Sequence, residues 1–305
     1  MIHFLQRQPW AQLQKELQRA VVTDEGEGWH YQAFIEHGKL GTRLYCPYGP
    51  VVESAEKLKP ALDSLIANAK KLGAVYLRIE PTGNITTQEI DYAGIKRAPR
   101  KQPEHTQRID IDRPFAEVLA EMRKSLRNAH RNYTKKGLNV VTSSDPKDVE
   151  HLISLLDEVA ERTGMVAHDS DYLRANANTL MPLEAAKVYL AQLDSKVIAA
   201  ALVFDDEDCR YYAHAAADTE HRNLQAGSIL VTRMIEDSAN SDQKFFDLYG
   251  VVPPSEVDHP WFGFSQFKRS FGGEQFDYAG TWEIPVRKLR YNFILLIRKI
   301  FKDKF

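Results

Sequence analysis

Between Ala186 and Gly250 the apolar positions fall into short, well-separated runs. "KVYLAQL", "KVIAAALVF" and "CRYYAHAAA" have the length and side-chain content of strands, divided by polar turns at Asp194–Ser195 and at the acidic stretch from Asp205 to Asp208. After a polar loop, "AGSILVTRMIEDSA" places Ile229, Leu230, Met234 and Ile235 at helical spacing, and "KFFDLYG" then reads as another strand. Three antiparallel strands, a helix and a strand predict an α+β layer.

The first half repeats this order more loosely. "WHYQAFIEHGKLGTRLYCPYGPVV" supplies two strands around a Gly turn, "SAEKLKPALDSLIANAKKLG" an amphipathic helix ended by Gly73, and "AVYLRIEP" the next strand. The repetition implies a duplicated unit. In "KKGLNVVTSSDPKD" the Ser-Ser-Asp-Pro sequence opens a helix with Val149, Leu152, Leu155 and Leu156 at its apolar positions. That predicts a first domain over 1–143, a second over 144–275, and a C-terminal segment, 276–305, returning to the first. A chain of 305 residues is long for one core and comfortable for two.

Composition adds little: 43% hydrophobic and 27% charged residues describe an ordinary globular chain, not a disordered one. Cys46 and Cys209 are too few for a disulfide framework or a zinc site, and "MIHFLQRQPW" lacks the basic and apolar regions of a signal peptide, so a cytoplasmic location with no metal is expected. The net charge of −2 conceals two basic segments. "RKSLRNAHRNYTKK" offers Arg123, Lys124, Arg127 and Arg131 to an anion such as RNA, or is a solvated helix face. In "RKLRYNFILLIRKIFKDKF", Leu289, Phe293, Leu296, Ile297, Ile300 and Phe301 share a helical face among Arg and Lys, far too short to span a bilayer. It fits a peripheral contact with the inner membrane face through 287–305, or a terminal helix docked on the first domain.

The strand-strand-strand-helix-strand order is that of acetyltransferase-like folds, so two tandem acetyltransferase-like (GNAT) domains are expected. Such enzymes carry Gln/Arg-x-x-Gly-x-Gly/Ala at the helix start, where glycines let backbone N–H groups approach the diphosphate of coenzyme A. Here the segment is "RNLQAG", Arg222 to Gly227, with Gln225 where the first glycine belongs. A side chain there crowds a diphosphate, which favours the fold with a different acyl donor.

"QPEHTQRIDID", "RKSLRNAHRNYTKKGLNV", "FFDLYGV" and "HPWFGFSQFKRSFGG", in this order, resemble the Fem family of peptidoglycan-bridge aminoacyltransferases; "LYCPYGPVV" and "PWAQLQK" fit the same pattern. The resemblance implies two acetyltransferase-like domains and transfer of an amino acid from aminoacyl-tRNA to an amine of a lipid-linked or UDP-linked peptidoglycan precursor, without a cofactor. It implies that Lys268, following Phe267, stabilises the reaction intermediate, and that Arg210, just ahead of Tyr212 and His214, binds precursor phosphate. A second phosphate-binding lysine of the family has no clear match, since Gln12, Gln14 and Lys15 compete for its place. No heptad run corresponds to the coiled-coil insertion of some members.

The chemistry fits these residues. An aminoacyl ester is already activated, so no nucleophilic side chain is required. Attack by an amine puts negative charge on the former carbonyl oxygen, which a cation in a dry site favours by about 3–4 kcal/mol. Lys268 is the candidate cation, with Trp261, Phe262, Phe264, Phe267 and Phe271 to exclude water, and no carboxylate close in sequence. The same rings also read as ordinary core beside a surface lysine. Tyr249 and Gly250 end the strand where this fold opens to ligand. Gly272 and Gly273 suit a substrate wall or a turn. Arg210 reads equally as a local ion-pair partner of Asp205 to Asp208. The catalytic base stays open, with Asp247 a residue that orients the amine or caps a turn. Two rival functions remain: an acyl-CoA-dependent N-acyltransferase on the same fold, and a non-catalytic RNA-binding protein.

Overall fold

The computed structural model describes residues 1–90, 95–164 and 169–300 and divides into two compact units, one of residues 1–104 with the C-terminal segment from 277, the other His105–Phe276. The division thus falls at 104/105 and not at 143/144. The expected helix does begin there, with Asp145 capping the turn that leads into Val149–Thr163. A helix start is not a domain boundary, however, and residues 105–143 are held by the second unit. Strand Leu138–Ser143 pairs with Ala186–Leu193, strand His105–Asp110 with Phe245–Gly250, and helix Lys124–Asn132 buries Leu126 and Ala129 in that unit's core.

In the first unit, strands Trp29–Gly38 and Gly41–Cys46 form an antiparallel hairpin, and Gly41–Cys46 pairs in parallel with Tyr76–Ile79. Helix Leu58–Lys71 makes the crossover, laying Leu58, Ala61, Leu65 and Ala69 on the sheet. Strand Trp282–Pro285 adds to the far side of Tyr76–Ile79. Strand Val21–Gly26, largely polar and exposed, has no apolar alternation to announce it.

The second unit repeats the plan. Its seven strands lie in the order 274–277, 105–110, 245–250, 209–217, 196–205, 186–193, 138–143; from 105–110 onward neighbours are antiparallel except for one pair. That parallel pair, Cys209–Ala217 with Phe245–Gly250, is joined by helix Ala226–Ala239, whose Ile229, Leu230, Met234 and Ile235 face the core as their spacing predicts.

The parallel pair positions the site. Its register runs Cys209–Phe245, Arg210–Phe246, Tyr211–Asp247 and then stops. Beyond that point each strand is bulged: one shifts register against its neighbour between Leu202 and Val203, the other between Asp247 and Gly250. Bulges increase twist and end pairing, so the two strands separate towards Ala217 and Gly250.

Candidate functional site

A cleft of about 460 Å³ lies along the outer part of strand Cys209–Ala217, beyond the point where its parallel pairing stops. Tyr212 and Ala215 to Ala217 form one wall, Gln225 to Ser228 at the start of helix Ala226–Ala239 another, and Phe264 and Phe267 a third. The helix start carries no side-chain cap, and its first amide N–H groups are the usual orphan donors of a helix N-terminus, suited to a phosphate. Gln225 takes the left-handed conformation, φ 58°, that glycine adopts without strain, and it lines the cleft. The sequence comparison with the Gly-containing signature therefore has a backbone basis: the turn is kept, and a long side chain stands where a diphosphate would approach.

Lys268 lies on helix Phe262–Arg269, whose buried positions are Ser265 and Lys268. Three side chains tie this helix to the backbone after strand Phe245–Gly250. Ser265 Oγ accepts from Val252 N at 3.0 Å, Lys268 Nζ donates to Gly250 O at 2.8 Å, and Arg269 donates to Val252 O. Lys268 is only 3% exposed, and its ammonium sits 4.3 Å from the centre of the Phe264 ring. Burial lowers its pKa to about 7, and the charge of Asp247 acts in the opposite direction.

Asp247 is therefore the carboxylate that sequence distance concealed, coupled to Lys268 through space and not by a direct ion pair. It is fully buried, which raises its pKa to about 6. Oδ1 accepts from Tyr249 N at 2.6 Å, a turn that holds Tyr249 at φ 64° and directs Gly250 into the bulge. Oδ2 has no hydrogen bond of normal geometry, although the nearby Thr106 hydroxyl still favours the ionised form. A lysine and an aspartate whose values approach each other near neutrality are groups from which one proton is easily moved.

The aromatic shell is less closed than the sequence suggests. Phe271 is buried, but Trp261 is 42% and Phe264 51% exposed, so these rings cannot exclude water from the protein as it stands. Phe267 packs edge-on against Phe271 at 5.1 Å and faces the cleft. Gly272 and Gly273 both have positive φ, and a Cβ on Gly273 would lie 2.3 Å from Arg108 O, so the pair makes a tight turn against its own sheet instead of a substrate wall.

Arg210 takes the second of its two expected roles, pairing with Asp205. Its guanidinium is 3% exposed and spent: Asp205 binds it through both oxygens at 2.7 and 3.0 Å, Tyr189 Oη accepts at 2.7 Å, and Met234 O at 3.3 Å. The pair is a buried fork, not the exposed ion pair that the acidic turn suggested. His214 lies edge-on to Tyr172 and Phe204 and is not on the cleft wall, whereas Tyr212 is. Arg127 caps the preceding helix by donating to Ala120 O and Met122 O, which leaves Arg123, Lys124 and Arg131 exposed. In the first unit, Gln12 bonds Glu16, buried Gln14 accepts from Arg19, and Lys15 is exposed.

Sequence reasoning missed an ordered pair at the cleft. Asp218 accepts from His221 N at 2.9 Å and from the His221 ring at 2.7 Å, and Arg222 follows on the wall. With Glu220 these residues bring possible metal ligands within 4.8 Å, but Lys196 lies 3.9 Å from Asp218 and 3.6 Å from Glu220 and already supplies the cation. The Asp-x-x-His spacing in "DTEH" was the available signal.

Residues 120–269 match the Acetyltransferase (GNAT) domain family. FemX superposes on nearly the whole chain, covering 96% of it and 94% of FemX with a TM-score of 0.83 at 18% identity. The fold is that of FemX. This FemX-like fold is shared more distantly by the C-terminal domain of a putative lysylphosphatidylglycerol synthetase from Agrobacterium fabrum (TM-score 0.61, 12% identity, 97% and 94% of the two chains). A tandem GNAT protein from the clavulanic acid pathway gives a TM-score of 0.53 at 16% identity, over 88% of this chain and 83% of that one. A search of curated proteins finds no match. The GNAT match and the FemX-like fold support an acyltransferase.

Proposed function

We propose that the protein transfers an amino acid from aminoacyl-tRNA to an amine of a peptidoglycan precursor stem peptide, forming an amide bond. The observation that carries the reading is the buried Lys268, not itself on the cleft wall but one helical turn from Phe264 and next in sequence to Phe267, which both line a cleft whose phosphate-facing turn holds Gln225 instead of glycine. The terminal phosphate of the donor lies against the start of helix Ala226–Ala239 with Arg222 beside it, and the ester carbonyl reaches towards Lys268. The amine nitrogen bonds to the carbonyl carbon, negative charge develops on the carbonyl oxygen, and Lys268 exchanges its Gly250 contact for that oxyanion; the intermediate then collapses to the amide as the ester C–O bond breaks, and the ribose hydroxyl of the tRNA leaves with the proton given up by the amine. Exposed Arg123, Lys124 and Arg131 receive other tRNA phosphates. The reading includes a peripheral position at a membrane surface, carried by the C-terminal helix.

The acyl-CoA-dependent rival has the GNAT match in its favour and Gln225 against it. Donor competition separates them. Aminoacyl-tRNA raises the melting temperature and acetyl-CoA does not; stabilisation by acyl-CoA alone would transfer the assignment to the rival.

A further inference from the structure

The C-terminal helix Lys288–Ile300 is fixed on the first unit by one face only. Tyr291 and Ile294 are buried against Val75 and Tyr76, Tyr291 Oη donates to Glu283 at 2.9 Å, and Arg298 binds Glu283 at 3.0 Å and Tyr76 Oη at 2.8 Å. These contacts set the rotation of the helix. The opposite face then carries Leu289, Phe293, Leu296 and Ile300, at 88, 62, 54 and 63% exposure, a 4-3-4 spacing that keeps them in one stripe. Ile297 is half-buried at its edge, and Phe301 lies outside the described residues.

What covers this stripe is indicated by its rim. Lys288, Arg290 and Lys299 are exposed beside it, and no acidic residue occurs from Ile284 to Ile300. Along the same helix, past Lys288 and Asn292, runs a groove of about 570 Å³ floored by Leu62, Ile66, Ile95 and Ile284, with Lys96 at its edge. Its one acid, Asp63, is taken by Lys59 at 2.6 Å. A second copy meeting this face in a two-fold contact would set the same cations against each other. An apolar stripe with a purely cationic rim matches the boundary between acyl chains and anionic headgroups, where such a helix lies flat. No helix among the described residues is long and apolar enough to cross a membrane.

We infer that this face of the first unit docks on an anionic phospholipid bilayer, with Leu289, Phe293, Leu296 and Ile300 entering the acyl boundary and the flanking Lys and Arg on headgroup phosphates. It rests on the peripheral position in the reading above but not on its chemistry, so vesicle binding and amino-acid transfer fail separately. The test is sedimentation of the full chain with vesicles of phosphatidylcholine alone or mixed with phosphatidylglycerol. Binding to the anionic vesicles only, weakened by salt, is expected. Leu289→Ser with Phe293→Ser should lower the partition coefficient by about tenfold or more without changing the melting temperature, since both side chains are exposed. Lys288→Gln with Arg290→Gln should lower it and flatten its salt dependence. No binding to anionic vesicles, or binding indifferent to both double variants, overturns the inference. So does a parent dimer in sedimentation velocity that the serine variant dissociates, which would assign the face to a second copy.

Discussion

Replacing Lys268 by Met is expected to stabilise the protein at neutral pH. An unfolded-chain ammonium of pKa 10.5 that titrates near 7 when folded costs about 4 kcal/mol at pH 7, where half of it has already lost its proton, at about 1.4 kcal/mol per unit. Against this gain, Met strands the Gly250 carbonyl, which costs about 1–3 kcal/mol. The balance favours Met by about 1–3 kcal/mol. The pH dependence has a definite sign. Because the folded value lies below the unfolded one, the unfolded chain holds the extra proton between about pH 7 and 10.5, and the parent gains stability as pH rises through that window. The advantage of Met therefore shrinks across it and reverses at the alkaline end, where only its losses remain. Paired urea denaturation curves of parent and variant at pH 7 and near pH 10 measure this directly. A variant no more stable than the parent at pH 7, or a difference that ignores pH, would refute the claim that a costly cation is held here. Stability given up at one buried lysine is the signature of a site kept for function.

Other outcomes follow from individual contacts. Arg210→Met leaves Asp205 buried without its fork and should cost about 3–5 kcal/mol in chemical denaturation, while transfer per folded molecule stays at the parent rate. Gln225→Gly relieves a left-handed residue and should stabilise by roughly 1 kcal/mol, and in thermal shifts it should gain a response to coenzyme A that the parent lacks. Joint replacement of Arg123, Lys124 and Arg131 by Gln should weaken tRNA binding and flatten its dependence on salt, read by filter retention; unchanged binding would place RNA elsewhere.

Much of the second unit was legible because its strands are apolar runs with polar turns and its helix has a single apolar stripe. Residues 186–250 fold as that pattern predicts. The domain division was not, since strand Leu138–Ser143 carries no mark of which sheet it will join; only pairing with Ala186–Leu193 decides it. Arg210 shows the same limit at one residue: the acidic turn before it was visible in sequence, but not the burial of Arg210 and Asp205 beside Tyr189 that turns a weak surface attraction into a closed fork. Asp247 stands 21 positions before Lys268 and reaches its neighbourhood because a parallel strand and a short helix converge on one bulge. Lys268 itself was found through the aromatic residues around it, although two of those rings prove to be exposed.

The most direct measurement is single-turnover transfer from preloaded aminoacyl-tRNA to a peptidoglycan precursor, with the parent and Lys268→Ala compared on the same precursor titration. The parent should transfer the amino acid, and the variant should bind precursor as well but react about 10²- to 10³-fold more slowly, the scale of losing one oxyanion donor. Lys268→Arg should recover little of the rate, because a planar guanidinium does not put its charge where a compact ammonium stood. A Lys268→Ala variant within about twofold of the parent, or a parent that consumes acyl-CoA and leaves aminoacyl-tRNA intact, would contradict the account.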